Sequence, residues 1–364
     1  MKVVAFDADV VGRQRTGDET YALNLLRELG QLASQAGIRI VAITRHPELV
    51  PDGVETRLLT TRVQEARMSW SLPRLLRELH ADLSHTQYAL PFRAPCPGVV
   101  TVHDVSFARG GDLMSLKDRA VFRRVVPRAV RNARRVLTVS ERTKRDLVEL
   151  YAIPPERIVV TPNGVDPAFS PAKPSDNLSQ APVTVSENAF EGRTNPSSNL
   201  SQGSYALAVG AIQQRKNHLA ALDAALAVDL PLVVVGPVKD ASLASELQRR
   251  GARVEGYVDQ PRLVELYRGA ACLVQPSRYE GFGLPVLEAM ACGTPVVALP
   301  DPALREVAGD AAVFVDEDDL ADGIRRALAE RKRLVADGLE RARRFTWRAT
   351  AERTLGVYRD ILGT

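Results

Sequence analysis

Glu280-Gly281-Phe282-Gly283-Leu284-Pro285-Val286-Leu287-Glu288-Ala289-Met290-Ala291-Cys292-Gly293-Thr294-Pro295-Val296-Val297-Ala298-Leu299 joins a polar loop, a helix start and two placed carboxylates. Pro285 suits a first helical position, because its missing N–H has no intrahelical partner there. A helix is therefore expected from about Pro285. Its first-turn amides and positive dipole end point back into the loop and favour phosphate or another anion. Gly281 and Gly283 allow close approach to the backbone. Glu288 falls about one turn into the helix with its side chain tilted toward the N-terminus, so it can face what Glu280 faces. Gly293 reads as a C-terminal cap and 294–299 as a buried strand.

Working outward, short apolar runs at 3–6, 38–43, 81–84, 98–102 and 136–139 alternate with helical patterns such as 22–29. That alternation predicts parallel sheet with crossover helices. Residues 170–204 are rich in Pro, Ser, Asn and Gln, with Asn-Leu-Ser-Gln at both 177 and 199, and are too polar for a core. The pattern then resumes with strands at 205–209, 232–235 and 272–275 and helices at 219–227 and 241–250. At 364 residues, 45% of them hydrophobic, two domains are expected. The division reads as 1–169, a linker or insertion at 170–204, a second domain at 205–345, and a closing helix at 346–364. Open α/β sheets bind ligands at the carboxyl ends of their strands.

Three cysteines, Cys96, Cys272 and Cys292, are odd in number and widely spaced, which argues against a disulfide framework or a zinc site and fits a reducing compartment. The first residues read as a strand, with acids where a signal peptide needs an apolar core. No run reaches the roughly 18 continuous apolar residues of a membrane span. A cytoplasmic protein is the expectation. Between 117 and 145, eleven basic residues stand against Asp118 and Glu141, a local charge of +9 that leaves −5 for the rest of a chain whose total is +4. With Val121, Phe122, Val125, Val126 and Val130 interleaved, this stretch is either a solvated arginine face over a buried valine stripe or a contact with an anionic membrane. Pro127 is expected to kink it. Nucleic acid is disfavoured, because Phe122 is the patch's single aromatic and no binding motif accompanies it.

Two further clusters carry chemistry. Gly210 and then Gln213-Gln214-Arg215-Lys216-Asn217 follow the first strand of the second half, where Arg215 offers a forked donor, Lys216 a point charge, and Asn217 an N-cap. Such a pair suits a diphosphate whose charge grows as it leaves. His103 ends the strand 98–102, and Asp104 following it is expected to orient the loop.

Glu280 and Glu288, set in Pro276-Ser277-Arg278-Tyr279-Glu280-Gly281-Phe282-Gly283-Leu284-Pro285, resemble the paired-glutamate signature of the family 4 retaining glycosyltransferases (GT4). Val136-Leu137-Thr138-Val139-Ser140, Asn163-Gly164-Val165-Asp166, Arg215-Lys216-Asn217, Gly256-Tyr257-Val258 and Arg344-Phe345-Thr346-Trp347 extend the resemblance to nearly the whole chain outside 170–204. It implies an α/β protein of GT-B fold, two Rossmann-like doubly wound parallel-sheet domains facing a central cleft, with the last helix crossing back to the first domain. It also implies a retaining, metal-independent hexosyltransferase without a cofactor, its substrate a nucleotide-diphosphate sugar and its sugar most like the mannose of bacterial surface-polysaccharide enzymes. The expected acceptor is a saccharide or a lipid-linked acceptor, met in the cytoplasm or at the inner face of the membrane.

Residue by residue, the resemblance sets the base near Val258, the ribose on Glu288, and the transferred sugar against Glu280 and the amides of Phe282, Gly283 and Leu284, with Gly281 in the same loop. Arg215 and Lys216 clamp the diphosphate, and His103, in Thr101-Val102-His103-Asp104-Val105-Ser106-Phe107, contacts the donor sugar. Gly17 of Thr16-Gly17-Asp18-Glu19-Thr20-Tyr21 lies on the glycine loop of the first domain. The chain departs from the pattern at Glu19, where relatives often have a second glycine, and at Ala211, where many have an arginine. No Asp-x-Asp set for a magnesium diphosphate lies between apolar strands; 316–319 reads as a helix-start acid cluster. Two rival functions share the architecture: a sugar-nucleotide epimerase, and a nucleotide-sugar-binding protein without turnover.

Overall fold

A computed structural model describes residues 1–13, 17–109, 116–172 and 203–364, with backbone alone over 116–121. Thr16, the side chains of Lys117, Asp118, Arg119 and Val121, and most of the 170–204 segment lie outside the described residues. The chain divides into two compact units. The first comprises Met1–Asp166, Glu280–Leu284 and Phe345–Thr364, and the second Pro167–Tyr279 and Pro285–Arg344.

The first unit holds seven parallel strands: β1 (Lys2–Asp7), β2 (Ile38–Thr44), β3 (Glu55–Leu58), β4 (Leu83–Gln87), β5 (Gly98–Val102), β6 (Arg135–Thr138) and β7 (Ile158–Val160), in the spatial order β3-β2-β1-β4-β5-β6-β7. The second holds six: β8 (Ala206–Val209), β9 (Leu232–Val235), β10 (Arg253–Gly256), β11 (Cys272–Gln275), β12 (Val296–Ala298) and β13 (Val313–Phe314), in the order β10-β9-β8-β11-β12-β13. Each sheet reverses its winding once, between β1 and β4 and between β8 and β11. Doubly wound sheets bind ligands at that reversal.

Most central strands are rich in Val, Ile, Leu and Ala because helices cover both faces of a parallel sheet, whereas β4 is Leu-Ser-His-Thr-Gln and buries polar side chains. One core of the first unit packs Val4, Phe6, Leu25, Leu26 and Leu29 against Trp347, Ala351, Leu355 and Tyr358 of the C-terminal helix Trp347–Leu362. Thr346 caps that helix, its side chain accepting from Ala349 N at 3.2 Å. Gly164 lies so close to it that a Cβ there would meet Trp347 N at 2.1 Å. A buried polar chain ties the helix to the sheet: Tyr358 Oη to His85 Nδ1 (2.5 Å), His85 Nε2 to Thr101 Oγ1 (2.7 Å), and Thr101 Oγ1 to Tyr21 Oη (3.0 Å). Burial pushes His85 down to about 3, so the ring stays neutral in that chain.

Some expectations shift and others are met. The helix expected over 22–29 runs from Gly17 to Leu32, and the strand expected at 81–84 sits at Leu83–Gln87. Pro127 lies inside the helix Leu116–Asn132 without ending it. Val126 and Val130 are buried there as expected, but Val125 is exposed and does not belong to the buried stripe. Asn217 precedes the helix His218–Leu226 but does not cap it with its side chain, since its backbone is left-handed at φ 53° rather than extended. Glu317–Asp319 forms a single 3-10 turn leading into the helix Leu320–Ala329.

Candidate active site

Four segments of the first unit meet around His103. β5 delivers the histidine at its carboxyl end, where the residue is 8% exposed. Asp104, next along, accepts from Ser106 N (2.9 Å) and Ser106 Oγ (2.8 Å), so it shapes the turn after the strand. The loop Glu280–Leu284 runs directly against this backbone. A Cβ on Gly281 would stand 2.2 Å from the His103 carbonyl oxygen and 2.9 Å from Asp104 Cβ. Glycine is thus required by the protein's own backbone, a nearer reason than the approach of a ligand.

The interlock is tied from a third side. Ser140 Oγ donates to Gly281 O at 2.5 Å and accepts from Thr143 N at 3.1 Å, capping the helix Glu141–Tyr151, and Thr143 Oγ1 donates to His103 O at 3.1 Å. Phe282 packs edge-on against Phe345 with ring centroids 5.9 Å apart. Leu284 lies near Gly17, in ordinary contact with the space a Cβ there would take. Glu280 is buried beside these groups. Gly17, His103 and the whole 280–284 loop are therefore brought together within one unit. Gly283 sits at φ +111°, a backbone that favours glycine.

Burial holds the His103 imidazole below its usual range, opposed by the carboxylates of Asp18 and Asp104, and the net shift is downward. The ring is neutral at pH 7. Its Nε2 lies 2.7 Å from Gln87 Oε1 and 3.9 Å from Asp18 Oδ1.

In the second unit β8, at the winding reversal, leads into Gly210, with φ +147°, and its neighbour β9 leads into Gly236, with φ +146°. The two ends are so close that a Cβ on Gly236 would meet Gly210 O at 2.1 Å. The turn Gln214–Lys216 follows from the carboxyl end of β8. Lys216 is buried, and its stem lies against Gly210. Arg215 Nη1 donates to Tyr279 O at 2.6 Å, and Arg278 N donates to Arg215 O at 3.3 Å, which fastens the basic turn to the segment before Glu280. Glu288, on the helix Leu284–Ala291, accepts from Tyr267 Oη at 2.8 Å. Val258 is half-buried just past β10.

Gln87, Tyr21, Ser140 and Tyr267 are absent from the sequence-based set although each fixes a member of it. Their signals are weak: Gln87 is one polar residue closing a strand, and Tyr267 reads as a helix's apolar face. Among the described residues no three His, Cys, Asp or Glu side chains gather into a metal-holding group.

Residues 15–169 match the family described as Glycosyltransferase Family 4, and residues 194–346 match Glycosyl transferases group 1. The O-antigen chain mannosyltransferase B of Escherichia coli is 30% identical over 348 residues, covering 90% of this chain and 84% of that protein. A D-inositol 3-phosphate glycosyltransferase of Kineococcus radiotolerans is 29% identical over 411 residues, covering 94% and 91%. Among solved structures, Anabaena HepE in complex with UDP and glucose superposes with a TM-score of 0.75 at 15% identity, covering 99% of this chain and 100% of that one. Sucrose-phosphate synthase from Thermosynechococcus elongatus gives 0.73 at 19%, with full coverage of both. The fold is GT-B, and the protein is a glycosyltransferase. The chain belongs to the group 1 glycosyltransferases, in the family 4 branch.

Proposed function

We propose that the protein is a retaining, metal-independent hexosyltransferase that moves mannose from a nucleotide-diphosphate donor to a saccharide or lipid-linked saccharide in surface-polysaccharide assembly. The observation that carries this reading is the interlock of Gly281 on the His103 carbonyl, which fixes a carboxylate, three loop amides and an imidazole as one rigid group. Arg215 and Lys216 stabilise the departing diphosphate electrostatically. Glu280 and the amides of Phe282, Gly283 and Leu284 hold the sugar, His103 contacts it near the reacting carbon, Glu288 takes the ribose and Val258 the base. The leaving phosphate oxygen accepts the acceptor's proton on the same face of the sugar, so no protein nucleophile is needed. Mannose is supported by the likeness to the Escherichia coli enzyme.

The test supplies GDP-mannose, UDP-glucose and ADP-glucose in turn with saccharide acceptors in chelator, follows nucleotide release, and determines the product's anomeric configuration. Acceptor-dependent release of GDP with the α-configuration kept is expected. An inverted product removes retention, isomerised donor without release identifies an epimerase, and binding without product identifies a silent binder.

The lipid-linked acceptor places the protein at the inner, anionic membrane face, and the first unit has a surface that suits it. Trp70 is 76% exposed and Phe92 47%, and Phe92 N donates to Met68 O at 2.7 Å, which sets the two segments side by side. The Arg128 guanidinium stacks 4.0 Å above the Phe92 ring. Arg123, Arg124, Arg131 and Arg134 are exposed, without a carboxylate partner among the described residues. An exposed aromatic under an arginine, on a unit that also carries exposed arginines along one helix, suits the bilayer interface. The chain has two tryptophans, and Trp347 is buried, so a change in emission on adding vesicles reports on Trp70. Phosphatidylglycerol vesicles should shift that emission to the blue and phosphatidylcholine vesicles should not. An unmoved spectrum with both would remove the membrane contact. No described helix is long and apolar enough to cross a bilayer.

A further inference from the structure

His103 is held by more than its place after β5. Tyr21 from the helix Gly17–Leu32 stands edge-on to the imidazole with centroids 4.7 Å apart, and Tyr88, just past β4, tilts against it at 5.6 Å. Tyr21 is itself anchored through Thr101 and His85 to Tyr358 of the C-terminal helix. The ring plane is therefore set by aromatic packing from two elements. What packing leaves open is which nitrogen carries the proton.

The hydrogen bonds close that question. Gln87, the last residue of β4, presents Oε1 2.7 Å from His103 Nε2. An amide oxygen only accepts, so Nε2 must donate, and a neutral imidazole has one N–H. Asp18 Oδ1, 3.9 Å from the same nitrogen, adds negative potential on that side. Nδ1 has no hydrogen-bond partner among the described residues.

Resting on the donor-contact reading of His103 above, we infer that Gln87 is a positioning residue that fixes the Nε2-protonated tautomer, so that Nδ1 presents a lone pair to a hydroxyl of the transferred sugar. The other tautomer would offer that hydroxyl a donor, would require the Gln87 amide to turn over, and would set the Nε2 lone pair toward the Asp18 carboxylate, which only accepts. Gln87 is half-buried, and its bond together with the Asp18 carboxylate on the same side of the ring favours the proton on Nε2. The charged and titratable groups facing the ring are Asp18, Asp104, His85, Tyr21 and Tyr88. Burial outweighs the two carboxylates, leaving the ring uncharged at neutral pH; on acidification Nδ1 gains a proton and the acceptor is lost.

Long-range proton–nitrogen correlation spectra of protein labelled at its five histidines, with His103 identified by its absence from the His103→Asn variant, read the tautomer directly. At neutral pH the wild type should show the Nε2–H pattern. Gln87→Leu should shift His103 toward the Nδ1–H form and lower kcat/KM about tenfold. Gln87→Glu keeps the acceptor and adds charge, so it should retain the Nε2–H pattern while moving the acid limb of the pH–rate profile upward. An Nδ1–H wild type, or an unchanged pattern in Gln87→Leu, overturns the role of Gln87. Should Gln87→Leu fail to fold, an unmoved acid limb in Gln87→Glu does the same. Near-normal transfer by His103→Asn alongside an intact Nε2–H pattern instead overturns the sugar-contact reading, and the use of the lone pair with it.

Discussion

Removing the charge of Lys216 is expected to lower kcat by about 10² to 10³-fold, the range found when a preorganised electrostatic donor is deleted from an active site. The geometry says which substitution isolates that charge. The lysine stem lies against Gly210, its Cδ and Cε each 3.4 Å from where a Cβ there would stand, so alanine would remove packing as well as the ammonium. Lys216→Met keeps a straight apolar stem and deletes only the charge. Negative charge grows on the diphosphate as the glycosidic bond breaks, so the loss should fall on kcat more than on donor binding. Arg215 does not substitute, because one arm of its guanidinium is committed to the Tyr279 carbonyl at 2.6 Å. A Lys216→Met enzyme that kept more than a tenth of the parent kcat would show that the charge is not aimed at the leaving group.

The legibility of the sequence followed burial. β5, β9 and β11 coincide with the apolar runs at 98–102, 232–235 and 272–275, because each is covered on both faces and so written mostly in Val, Leu and Cys. β3, Glu-Thr-Arg-Leu, is an edge strand with mostly exposed side chains, and β10 carries Arg253 and Glu255 as an ion pair at 2.7 Å, so neither offers an apolar run. β7 and β13, at three and two residues, are too short for a period to show. The site divides likewise. His103 and the 280–284 loop stand out because strand ends, glycines and prolines mark them locally. Their supports do not: Gln87 reaches His103 across 16 positions, Tyr267 reaches Glu288 across 21, and Ser140 reaches Gly281 across 141. Such pairs exist only once the strands are in register.

Gly281 shows how far that non-local packing governs function, and its replacement by alanine should be as damaging as the loss of Lys216. Positive φ is not the obstacle, since Gly281 lies outside the left-handed region where Gly283 sits. Space is. A methyl group there would overlap the His103 carbonyl at 2.2 Å and Asp104 Cβ at 2.9 Å, and the carbonyl is backbone that cannot rotate away. Either the 280–284 loop or the chain after β5 must shift by about 1 Å, and a misplacement of that size lowers turnover by on the order of 10²-fold. Overpacking also destabilises, by roughly 1–3 kcal/mol. The two effects separate by temperature: activity measured well below the melting transition should still be low, because the loop is displaced in the folded protein. Gly356→Ala in the C-terminal helix supplies the comparison, since nothing lies within 4 Å of its Cβ position and alanine favours helix. It should melt no lower than the parent and transfer sugar at the parent rate. If Gly281→Ala melted early yet turned over normally in the cold, the contact with His103 would be a matter of stability alone.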